Sequence, residues 1–339
     1  MRISFLVTYY NQVSYVRESL ESILALDKGD DWEILVGDDG SQDGTQEAVR
    51  AYMARYPGQI RLHVMERDRD RKYDSVLRAS ANRLALLSRA AGDCICFLDG
   101  DDVYTDRDFP VHAMEVLATH PEVTVVAHLF HTFGEDGGAA PKAVRAGEGY
   151  VRKSTYLRGK YVPAGACVMR READPRSLSH IAQMGYYDDN NIVLHALSRG
   201  EMYFVPRDVY GYRQTGNSVY AAMGRIEQAA LNVQGMGADL AIMGERWKRD
   251  LQARYAHPIC ALFLARNRLT EVLGEEKTAR YLEGTERTGF AEGIWLFRYP
   301  LCTAKEKREL WRYILGIAAH HPLRALSAWV HSMVGSKQT

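Results

Sequence analysis

The chain has 339 residues, of which 46% are hydrophobic and 25% charged, close to the average for soluble globular proteins. This composition excludes a disordered chain, a collagen-like chain and a disulfide scaffold, and the length predicts two domains or one large domain with an appendage. Lysine plus arginine and aspartate plus glutamate both total 43, so the formal net charge is zero. A neutral chain gives no reason to expect a nucleic-acid partner.

The cysteines and the apolar runs indicate the cellular compartment of the protein. The five cysteines are odd in number and lie in or beside apolar runs, which is typical of reduced, buried thiols in a cytosolic protein. Residues 1–7 form a short apolar run with one basic residue, which predicts a strand and not a secretion signal. No apolar run reaches the roughly 18 residues that span a bilayer. We therefore expect a cytoplasmic protein.

Strands and helices are predicted to alternate over the first hundred residues. Four apolar, β-rich runs predict strands at residues 3–7, 32–37, 60–65 and 93–98. Helical spacing of apolar residues between them predicts helices, including 48–56 and 77–89. Such alternation requires parallel strands joined by helical crossovers, so the predicted class is α/β.

The pattern changes beyond this segment. Residues 123–133 and 162–170 predict further strands, separated by a glycine-rich and alanine-rich loop. After about residue 219 the pattern is helical, with helices expected at 240–255, 259–273 and 305–334. We therefore predict an α/β domain over residues 1–219 and a helical C-terminal region over residues 220–339.

Two clusters of aspartates follow predicted strands. Asp38 and Asp39 follow the second strand, and Asp99, Asp101 and Asp102 follow the fourth. Ligands of open parallel sheets bind beyond the carboxyl ends of the strands, so both clusters are expected at one crevice. Five carboxylates there repel one another unless a cation or a hydrogen-bonding ligand compensates. Mg²⁺ and Mn²⁺ prefer oxygen ligands, which predicts metal-bridged binding of a diphosphate.

Capping turns are the alternative explanation for these aspartates. Aspartate accepts hydrogen bonds from free N–H groups at helix starts, and this explains Asp43 and Asp106 well. It explains the second cluster poorly, because the preceding run, residues 94–98, is apolar enough to be a central strand. A dinucleotide site of the Rossmann type is disfavoured, because the loop at residues 8–12 has no G-x-G-x-x-G.

Six sequence blocks resemble, in order and spacing, those of family 2 glycosyltransferases with the GT-A fold. They are FLVTYYNQ at 5–12, ILVGDDGSQDGT at 34–45, FLDGDD at 97–102, GACVMR at 165–170, YYDD at 186–189, and YGYR at 210–213 with Ser218. The resemblance covers about the first 220 residues. It implies a Rossmann-like α/β fold, with a mostly parallel sheet flanked by helices and a helical C-terminal extension. Residues 1–102 would be the nucleotide-binding half and residues 103–219 the acceptor half.

The resemblance also implies an activity. Family members move a sugar from a nucleotide-diphosphate donor, most often a UDP-sugar, to an acceptor hydroxyl with inversion, using Mn²⁺ or Mg²⁺. Many act in bacterial cell-surface polysaccharide or glycan synthesis, with a glycan or lipid-linked glycan as acceptor. Two alternatives stay open: an inactive relative that only binds a nucleotide sugar, and a metal-dependent nucleotidyltransferase. The latter would usually need a glycine-rich, basic loop near the N-terminus.

The resemblance assigns roles by position. On the donor side it places Thr8 and Tyr10 around the nucleoside, Asp39 on the base, Asp99 on the ribose side, Asp101 on the diphosphate, and Asp101 and Asp102 on the metal. Asp189 lies where the family has its general base, beside Asp188, where glutamate is usual. Both are predicted catalytic residues, and the alternative role for this pair is a cap for the helix predicted at residues 190–198.

Two departures from the family bear on the donor site. Ala81 precedes Asn82 where many members have arginine, so the donor-side cation is expected from Arg78, with Arg71 or Lys72 as alternatives. Gln214-Thr215 stands where many members have histidine, which leaves a histidine ligand of the metal or the diphosphate in doubt.

The last segment of the chain is basic and amphipathic. Residues 303–339 hold six lysines or arginines against two glutamates, with apolar stripes that include Trp311 and Trp329. A basic amphipathic helix with tryptophan is typical of an anionic membrane surface. We expect peripheral contact with the inner face of the cytoplasmic membrane, with packing on the catalytic domain as the alternative.

Overall fold

The structure, a computed structural model, describes most of the first 255 residues. These are residues 1–68, 73, 75–134, 147–158, 161–172, 174, 177, 179, 181, 187–215 and 223–255, with single positions at 258, 261, 270, 271, 274, 275, 304, 308 and 311. The chain divides into two compact units. The first comprises Met1–Tyr156, Lys160–Gly216 and Ala241–Met243, and the second Leu157–Gly159, Asn217–Leu240 and Gly244–Thr339.

One sheet of nine described strands forms the centre of the first unit. The strands are β1 Ile3–Tyr9, β2 Trp32–Asp38, β3 Ile60–Val64, β4 Cys94–Asp99, β5 Val103–Tyr104, β6 Val123–Gly134, β7 Gly149–Val151, β8 Cys167–Arg170 and β9 Glu201–Gln214. Their order across the sheet is β3-β2-β1-β4-β8-β6-β9-β5, and β7 also pairs with β9.

Helices connect these strands. The first unit has α1 Val13–Leu24, α2 Thr45–Arg55, α3 Ser75–Leu87, α4 Phe109–Thr119 and α6 Asp189–Arg199, and α5 Lys153–Leu157 ends at the boundary. Helices α7 Arg225–Met243 and α8 Lys248–Arg254 follow, lying largely in the second unit. A helical C-terminal region is therefore present. None of the described helices is long and apolar enough to cross a membrane.

Parallel pairing brings the acidic turns to one edge of the sheet. Strand β1 lies between β2 and β4 and is parallel to both, with Tyr9 opposite Asp38 and Thr8 opposite Asp99. The carboxyl ends of these strands therefore meet, as predicted. The five residues 94–98 of β4 are all buried, because helices cover a parallel sheet on both faces, which explains the continuous apolar run.

The second half of the sheet is mixed. Strand β8 runs antiparallel to β4 and to β6, while β6 and β9 are parallel. The short strand β5, directly after the second acidic turn, pairs antiparallel with β9, with Tyr104 opposite Tyr210. The parallel pairs are thus concentrated in the nucleotide-binding half of the prediction, and β9 lies against the second acidic turn.

Two glycines allow side chains of the site region to pack closely. A Cβ atom on Gly100 would lie 2.1 Å from the ring of Tyr9, and one on Gly165 would lie 2.3 Å from the ring of Tyr210. Real Cβ atoms do not approach other atoms so closely, so these positions exclude any larger residue unless a ring moves. The glycines of the FLDGDD and GACVMR blocks therefore have a packing role.

Helix α4 and the short elements α5, β5 and β7 were not predicted, and two further differences have a cause in the sequence. The helix predicted over residues 240–255 is wrong as one element, because α7 ends at Gly244, whose φ of +87° suits a glycine that terminates a helix. Strand β9 was not predicted, since Pro206, Arg207 and Asp208 interrupt its apolar pattern. The helices predicted at 259–273 and 305–334 lie outside the described residues, single positions excepted.

Candidate active site

Asp99, at the end of β4, is held by two neighbours. The Thr8 hydroxyl donates a hydrogen bond of 3.0 Å to its Oδ1 atom. The Arg83 guanidinium donates to both carboxylate oxygens, at 2.9 and 3.0 Å. The Asp99 side chain is 33% exposed, so the carboxylate is oriented by the protein and still open to a ligand.

Asp39 lies in a second group, at the end of β2. Arg67 and Arg78 each bind one of its carboxylate oxygens, Arg78 through Nε at 2.6 Å. The Arg67 guanidinium lies 4.1 Å from the ring centroid of the exposed Tyr10, and the Arg78 guanidinium lies 4.7 Å from that of Tyr73. This group combines an acceptor carboxylate with planar cations and aromatic faces.

Asp38 does not share this environment. Its side chain is buried and its Oδ1 atom accepts hydrogen bonds of 2.8 Å from the Ser41 N–H and the Gln46 amide. Asp38 therefore stabilises the turn after β2, and the crevice has fewer carboxylates than the sequence predicts. Asp43 also has a local role, because it accepts hydrogen bonds from the N–H groups of Val13 and Thr45.

Asp101 and Asp102 follow Asp99 and differ from each other. Burial and the nearby Asp99 charge raise the pKa of Asp101 above its ordinary value. Burial, Asp99 and Asp101 raise the pKa of Asp102 more strongly. Both oxygens of Asp102 accept hydrogen bonds within the protein, one from the Tyr210 hydroxyl and one from the Arg213 N–H at 2.7 Å.

The carboxylates of this turn suit a divalent cation. Burial first, and then the neighbouring carboxylates, raise the pKa values of Asp101 and Asp102, so a cation with oxygen ligands would stabilise their ionised forms. Among the described residues, no three His, Cys, Asp or Glu side chains form a group that could hold a metal ion. A metal at this turn would therefore need ligand oxygens from a bound diphosphate or from water, as Mg²⁺ usually has.

Asp189 lies on the other side of Arg83, in the first turn of α6. Its carboxylate is 3.8 Å from the Arg83 guanidinium and accepts a hydrogen bond of 3.3 Å from the Tyr161 hydroxyl. Burial raises the pKa of Asp189 to about 6, although the Arg83 charge opposes the shift; Asp99 adds to it. A carboxylate with a pKa near neutrality is suited to general-base catalysis.

Asp188 is the N-cap residue of α6. Its side chain accepts a hydrogen bond of 2.9 Å from the Asn191 N–H, and the Asn191 side chain accepts one from the Asp188 N–H. This reciprocal capping box is the alternative that the sequence left open. The catalytic role predicted for Asp188 stays a prediction.

A buried network lies directly before this cap. The Tyr187 hydroxyl is 3.1 Å from Nδ1 of His195, and Nε2 of His195 is 3.6 Å from Glu172, which pairs with Arg199. Burial lowers the pKa of His195 to about 4, and Arg199 lowers it further. The Tyr187 N–H donates to the Ser80 hydroxyl of α3 at 3.0 Å. These contacts connect the segment before Asp188 to α6 and α3.

In the structure, the predicted site residues lie in a group around Arg83, in a group around Asp39, and in the turn that holds Asp101 and Asp102. Arg83 brings Asp99 and Asp189 together, with Thr8 on the Asp99 side. Tyr10 and Arg78 adjoin Asp39, whereas Arg71 and Lys72 lie outside the described residues.

Sequence reasoning missed Arg67 and Arg83. Arg67 lies three residues beyond the end of β3, at the same edge of the sheet, so the reasoning applied to the other strand ends would have found it. Arg83 lies on α3 with Arg78, one residue after Asn82, and the sequence prediction of a donor-side cation was limited to residues before Asn82.

Residues 4–177, more than half of the chain, match the family model described as glycosyl transferase family 2. The chain therefore belongs to glycosyl transferase family 2. The resemblance found in the six blocks is confirmed.

Two curated relatives show how far the likeness extends. Uncharacterized protein Rv1520 of Mycobacterium tuberculosis strain H37Rv is 26% identical over 216 residues, covering 62% of this chain and 58% of the relative. Putative glycosyltransferase EpsE of Bacillus subtilis strain 168 is 36% identical over 136 residues, covering 40% of this chain and 45% of the relative. The chain thus matches only about half the length of these relatives.

Solved structures show the fold. S. aureus TarS 1–349 in complex with UDP-GlcNAc aligns with a TM-score of 0.60 at 15% identity, covering 94% of this chain and 92% of that chain. Mannosyltransferase PcManGT from Pyrobaculum calidifontis, in complex with GDP-Man and Mn²⁺, gives a TM-score of 0.51 at 17% identity, with 93% and 86% covered. The predicted GT-A fold is confirmed.

Proposed function

We propose that this chain transfers a sugar from a nucleoside-diphosphate donor to an acceptor hydroxyl, with inversion at the anomeric carbon. The observation that carries the proposal is the Arg83 bridge. One guanidinium lies 2.9 Å from Asp99, a carboxylate at a strand end of the sheet, and 3.8 Å from Asp189, whose pKa of about 6 suits a general base. Donor binding and proton abstraction would therefore take place at neighbouring positions.

The donor nucleobase is proposed to be uracil. Asp39 is an acceptor between two guanidinium donors, because Arg67 binds one of its oxygens and Arg78 the other. The imide edge of uracil has one N–H between two carbonyl oxygens, which complements a donor–acceptor–donor arrangement. Guanine has two neighbouring donors on its edge, so one of them would face a guanidinium. The stacked pair of Tyr10 and Arg67 offers a flat surface for either base.

Asp101 and Asp102 are proposed to hold Mn²⁺ or Mg²⁺ together with the donor diphosphate. Asp101 fits this role better than Asp102, because the oxygens of Asp102 already accept hydrogen bonds from Tyr210 and Arg213. A divalent cation bound there would stabilise the negative charge on the departing nucleoside diphosphate. PcManGT, with GDP-Man and Mn²⁺ bound, shows that a protein of this fold accommodates both.

The reaction is a single displacement. Asp189 takes the proton of the acceptor hydroxyl, and the acceptor oxygen forms a bond to the anomeric carbon of the sugar. The bond between that carbon and the diphosphate oxygen breaks, and its electron pair leaves with the nucleoside diphosphate. Attack opposite the leaving group inverts the anomeric centre. Tyr161 and Arg83, on the two sides of the Asp189 carboxylate, orient it for this step.

The acceptor is proposed to be a glycan or a lipid-linked glycan of bacterial cell-surface polysaccharide synthesis, at the cytoplasmic side of the membrane. This rests on the family and on the basic C-terminal segment, residues 303–339. The site itself gives a narrower observation: Tyr161 is 52% exposed beside Asp189, and an aromatic face is a common sugar-binding surface.

A nucleotide panel tests the proposal. Thermal unfolding is measured with UDP, GDP and TDP, with and without Mn²⁺, because a ligand of the native state raises stability by mass action. UDP and TDP, whose bases share the imide edge, are expected with Mn²⁺ to stabilise the chain more than GDP does, and Arg67→Gln should reduce the UDP effect. Sugar transfer, donor hydrolysis and pyrophosphate release are then followed with the best donor. Binding without transfer would indicate an inactive relative, and pyrophosphate release a nucleotidyltransferase.

A further inference from the structure

Arg83 has no role in the family resemblance stated above, although it is the described cation that contacts both Asp99 and Asp189. Its side chain is only 13% exposed. Burial of a guanidinium is unfavourable unless carboxylates surround it. Burial lowers the pKa of Arg83, and the charges of Asp99 and Asp189 more than offset that effect and raise it. Arg83 is therefore permanently charged between the two carboxylates.

The two contacts of Arg83 are unequal. Toward Asp99 the guanidinium makes hydrogen bonds of 2.9 and 3.0 Å, so this side is a close, oriented ion pair. Toward Asp189 the separation is 3.8 Å, which is an ion pair without a hydrogen bond. The Asp99 contact thus fixes the guanidinium, and the fixed charge acts on Asp189 through space.

The helix that carries Arg83 is itself tied to the segment before α6. Ser80, one turn earlier on α3, accepts the hydrogen bond from the Tyr187 N–H, two residues before Asp189. The Asn82 side chain donates to the Gly37 carbonyl at 3.0 Å, which ties α3 to β2. These hydrogen bonds connect the helix that carries Arg83 both to the segment before Asp189 and to β2.

We propose that Arg83 is a positioning residue that sets the charge and orientation of the Asp189 carboxylate and links it to the donor-side carboxylate of Asp99. The inference rests on the proposed function, because it gives Asp189 the general-base role. The fixed positive charge of Arg83 would keep the Asp189 carboxylate ionised and oriented toward the acceptor hydroxyl.

Other groups also face Asp189 and enter any pH dependence. They are Asp99, Asp188, Tyr161, Cys167, Tyr210 and Tyr212. The carboxylates raise the pKa of Asp189, and the Tyr161 hydrogen bond lowers it. Among these groups of the described part of the chain, Arg83 is the cation, so its removal should raise the pKa of Asp189.

The first experiment compares Arg83→Gln, Arg83→Lys and Arg89→Gln with the wild type in a sugar-transfer assay across pH. Arg89 is the matched control, because it is an exposed arginine near the end of the same helix whose hydrogen bonds go to the Ala85 carbonyl and the Ser88 hydroxyl. The acidic limb of kcat/KM should move up by about one pH unit in Arg83→Gln. Arg83→Lys keeps the positive charge and should leave the acidic limb near its wild-type position, and Arg89→Gln should behave as wild type.

The second experiment separates positioning from donor binding. If Arg83 acts through Asp189, Arg83→Gln should lower kcat by about 10- to 100-fold in the wild type and by less than about 3-fold in Asp189→Asn. The UDP affinity of Arg83→Gln, measured by calorimetry, should stay within about 3-fold of wild type. An equal loss in both backgrounds, or a large loss of UDP affinity, would show that Arg83 serves Asp99 or the fold instead.

A third measurement needs no activity. The difference in unfolding free energy between wild type and Asp189→Asn, followed against pH, reports the pKa of Asp189 in the folded chain. The same difference in an Arg83→Gln background should report a pKa higher by about one unit. An unchanged value overturns the inference, even if the chain transfers no sugar. Absence of transfer from every donor would instead overturn the proposed function.

Discussion

Asp101 and Asp102 are adjacent in the sequence, and their side chains have different surroundings. Asp102 is 1% exposed and accepts hydrogen bonds from Tyr210 and Arg213, which belong to β9. Asp101 is partly exposed, and its backbone carbonyl accepts a hydrogen bond of 2.6 Å from Nε of Arg213. Arg213 thus holds the backbone of the turn and one oxygen of Asp102. The Asp101 carboxylate interacts with the Gln12 side chain and is more exposed than that of Asp102, so it is the more accessible of the two to a ligand.

Substitutions at these two positions should therefore have different effects. Asp101→Asn is expected to abolish metal-dependent turnover without loss of stability, because the charged carboxylate is already unfavourable in its partly buried place. Asp102→Ala should lower the unfolding free energy by about 1–3 kcal/mol, because the Tyr210 hydroxyl and the Arg213 N–H lose their acceptor. Activity assays with Mn²⁺ titration measure the effect on turnover, and urea unfolding measures the stability of the two variants. Full activity of Asp101→Asn, or of the wild type in excess EDTA, would contradict the metal assignment.

Asp189 should give the reaction a pH dependence near neutrality. Burial raises its pKa from the ordinary 3.8 to about 6, and only the ionised form accepts a proton. The value of kcat/KM is therefore expected to rise with pH through about 6. Asp189→Asn should bind UDP normally and lose about 10²- to 10⁴-fold in transfer rate, the range typical of a lost general base. An acidic limb that persists in this variant would assign the titration to another group.

The raised pKa of Asp189 also means that its ionised form lowers the stability of the folded state at neutral pH. Its pKa in the folded chain is about 6, above the ordinary 3.8, so protonation favours the folded state. That contribution is complete below about pH 4 and is lost as the pH rises through about 6. Asp189→Asn is therefore expected to be more stable than wild type at pH 7.5, by roughly 1–2 kcal/mol, and about equal at pH 4. Urea unfolding at the two pH values measures the difference.

At the residue scale, the sequence predicted candidate carboxylates but not the cations that contact them. Asp39 and Asp99 follow predicted strands, and Asp189 was proposed from its place in the order of the six blocks. Their partners Arg67 and Arg83 come from a loop and a helix that only the crossover connections bring near. Such contacts depend on helix rotation and loop path, which a sequence pattern of apolar spacing does not determine.

At the scale of the elements, α6 and its cap carry the proposed acceptor side of the site. The capping box between Asp188 and Asn191 fixes the first turn, and Asp189 is the first residue of the helix. The predicted helix at residues 190–198 agrees with α6 within one residue at each end. Strand β9, which supplies Tyr210 and Arg213, was not predicted because the charged residues in its middle interrupt the apolar pattern.

The cap offers a matched pair of substitutions. Asparagine caps helices as well as aspartate, so Asp188→Asn should keep both stability and most of the transfer rate. Asp188→Ala should lose about 1 kcal/mol of unfolding free energy, because the Asn191 N–H loses its acceptor. Asp189→Asn, one position along, should instead lose activity and, at pH 7.5, be more stable than wild type. If Asp188→Asn proves inactive while Asp189→Asn transfers sugar, the general base lies one residue earlier.

At the scale of the whole molecule, we ask how the unit that carries the proposed catalytic site reaches its acceptor. The first unit carries every described residue of the proposed donor site, and the second carries α8 and most of α7. Most of the basic segment at residues 303–339 lies outside the described residues. Within it, the structure describes Arg308, whose Nε donates to the Ala304 carbonyl, and Trp311, which is 48% exposed.

This segment should bind anionic membranes through charge and tryptophan together. Each basic residue near an anionic surface contributes about 1 kcal/mol, so reversing three of them should lower membrane recovery by well over tenfold. The variant Lys305→Glu, Lys307→Glu, Arg308→Glu keeps the full chain, and flotation with phosphatidylserine vesicles measures its recovery against wild type. Wild-type recovery should fall as salt rises, because the attraction is screened. Transfer to a water-soluble acceptor should be unchanged, since the proposed donor site lies in the first unit. Equal recovery of variant and wild type would assign the segment to packing within the protein.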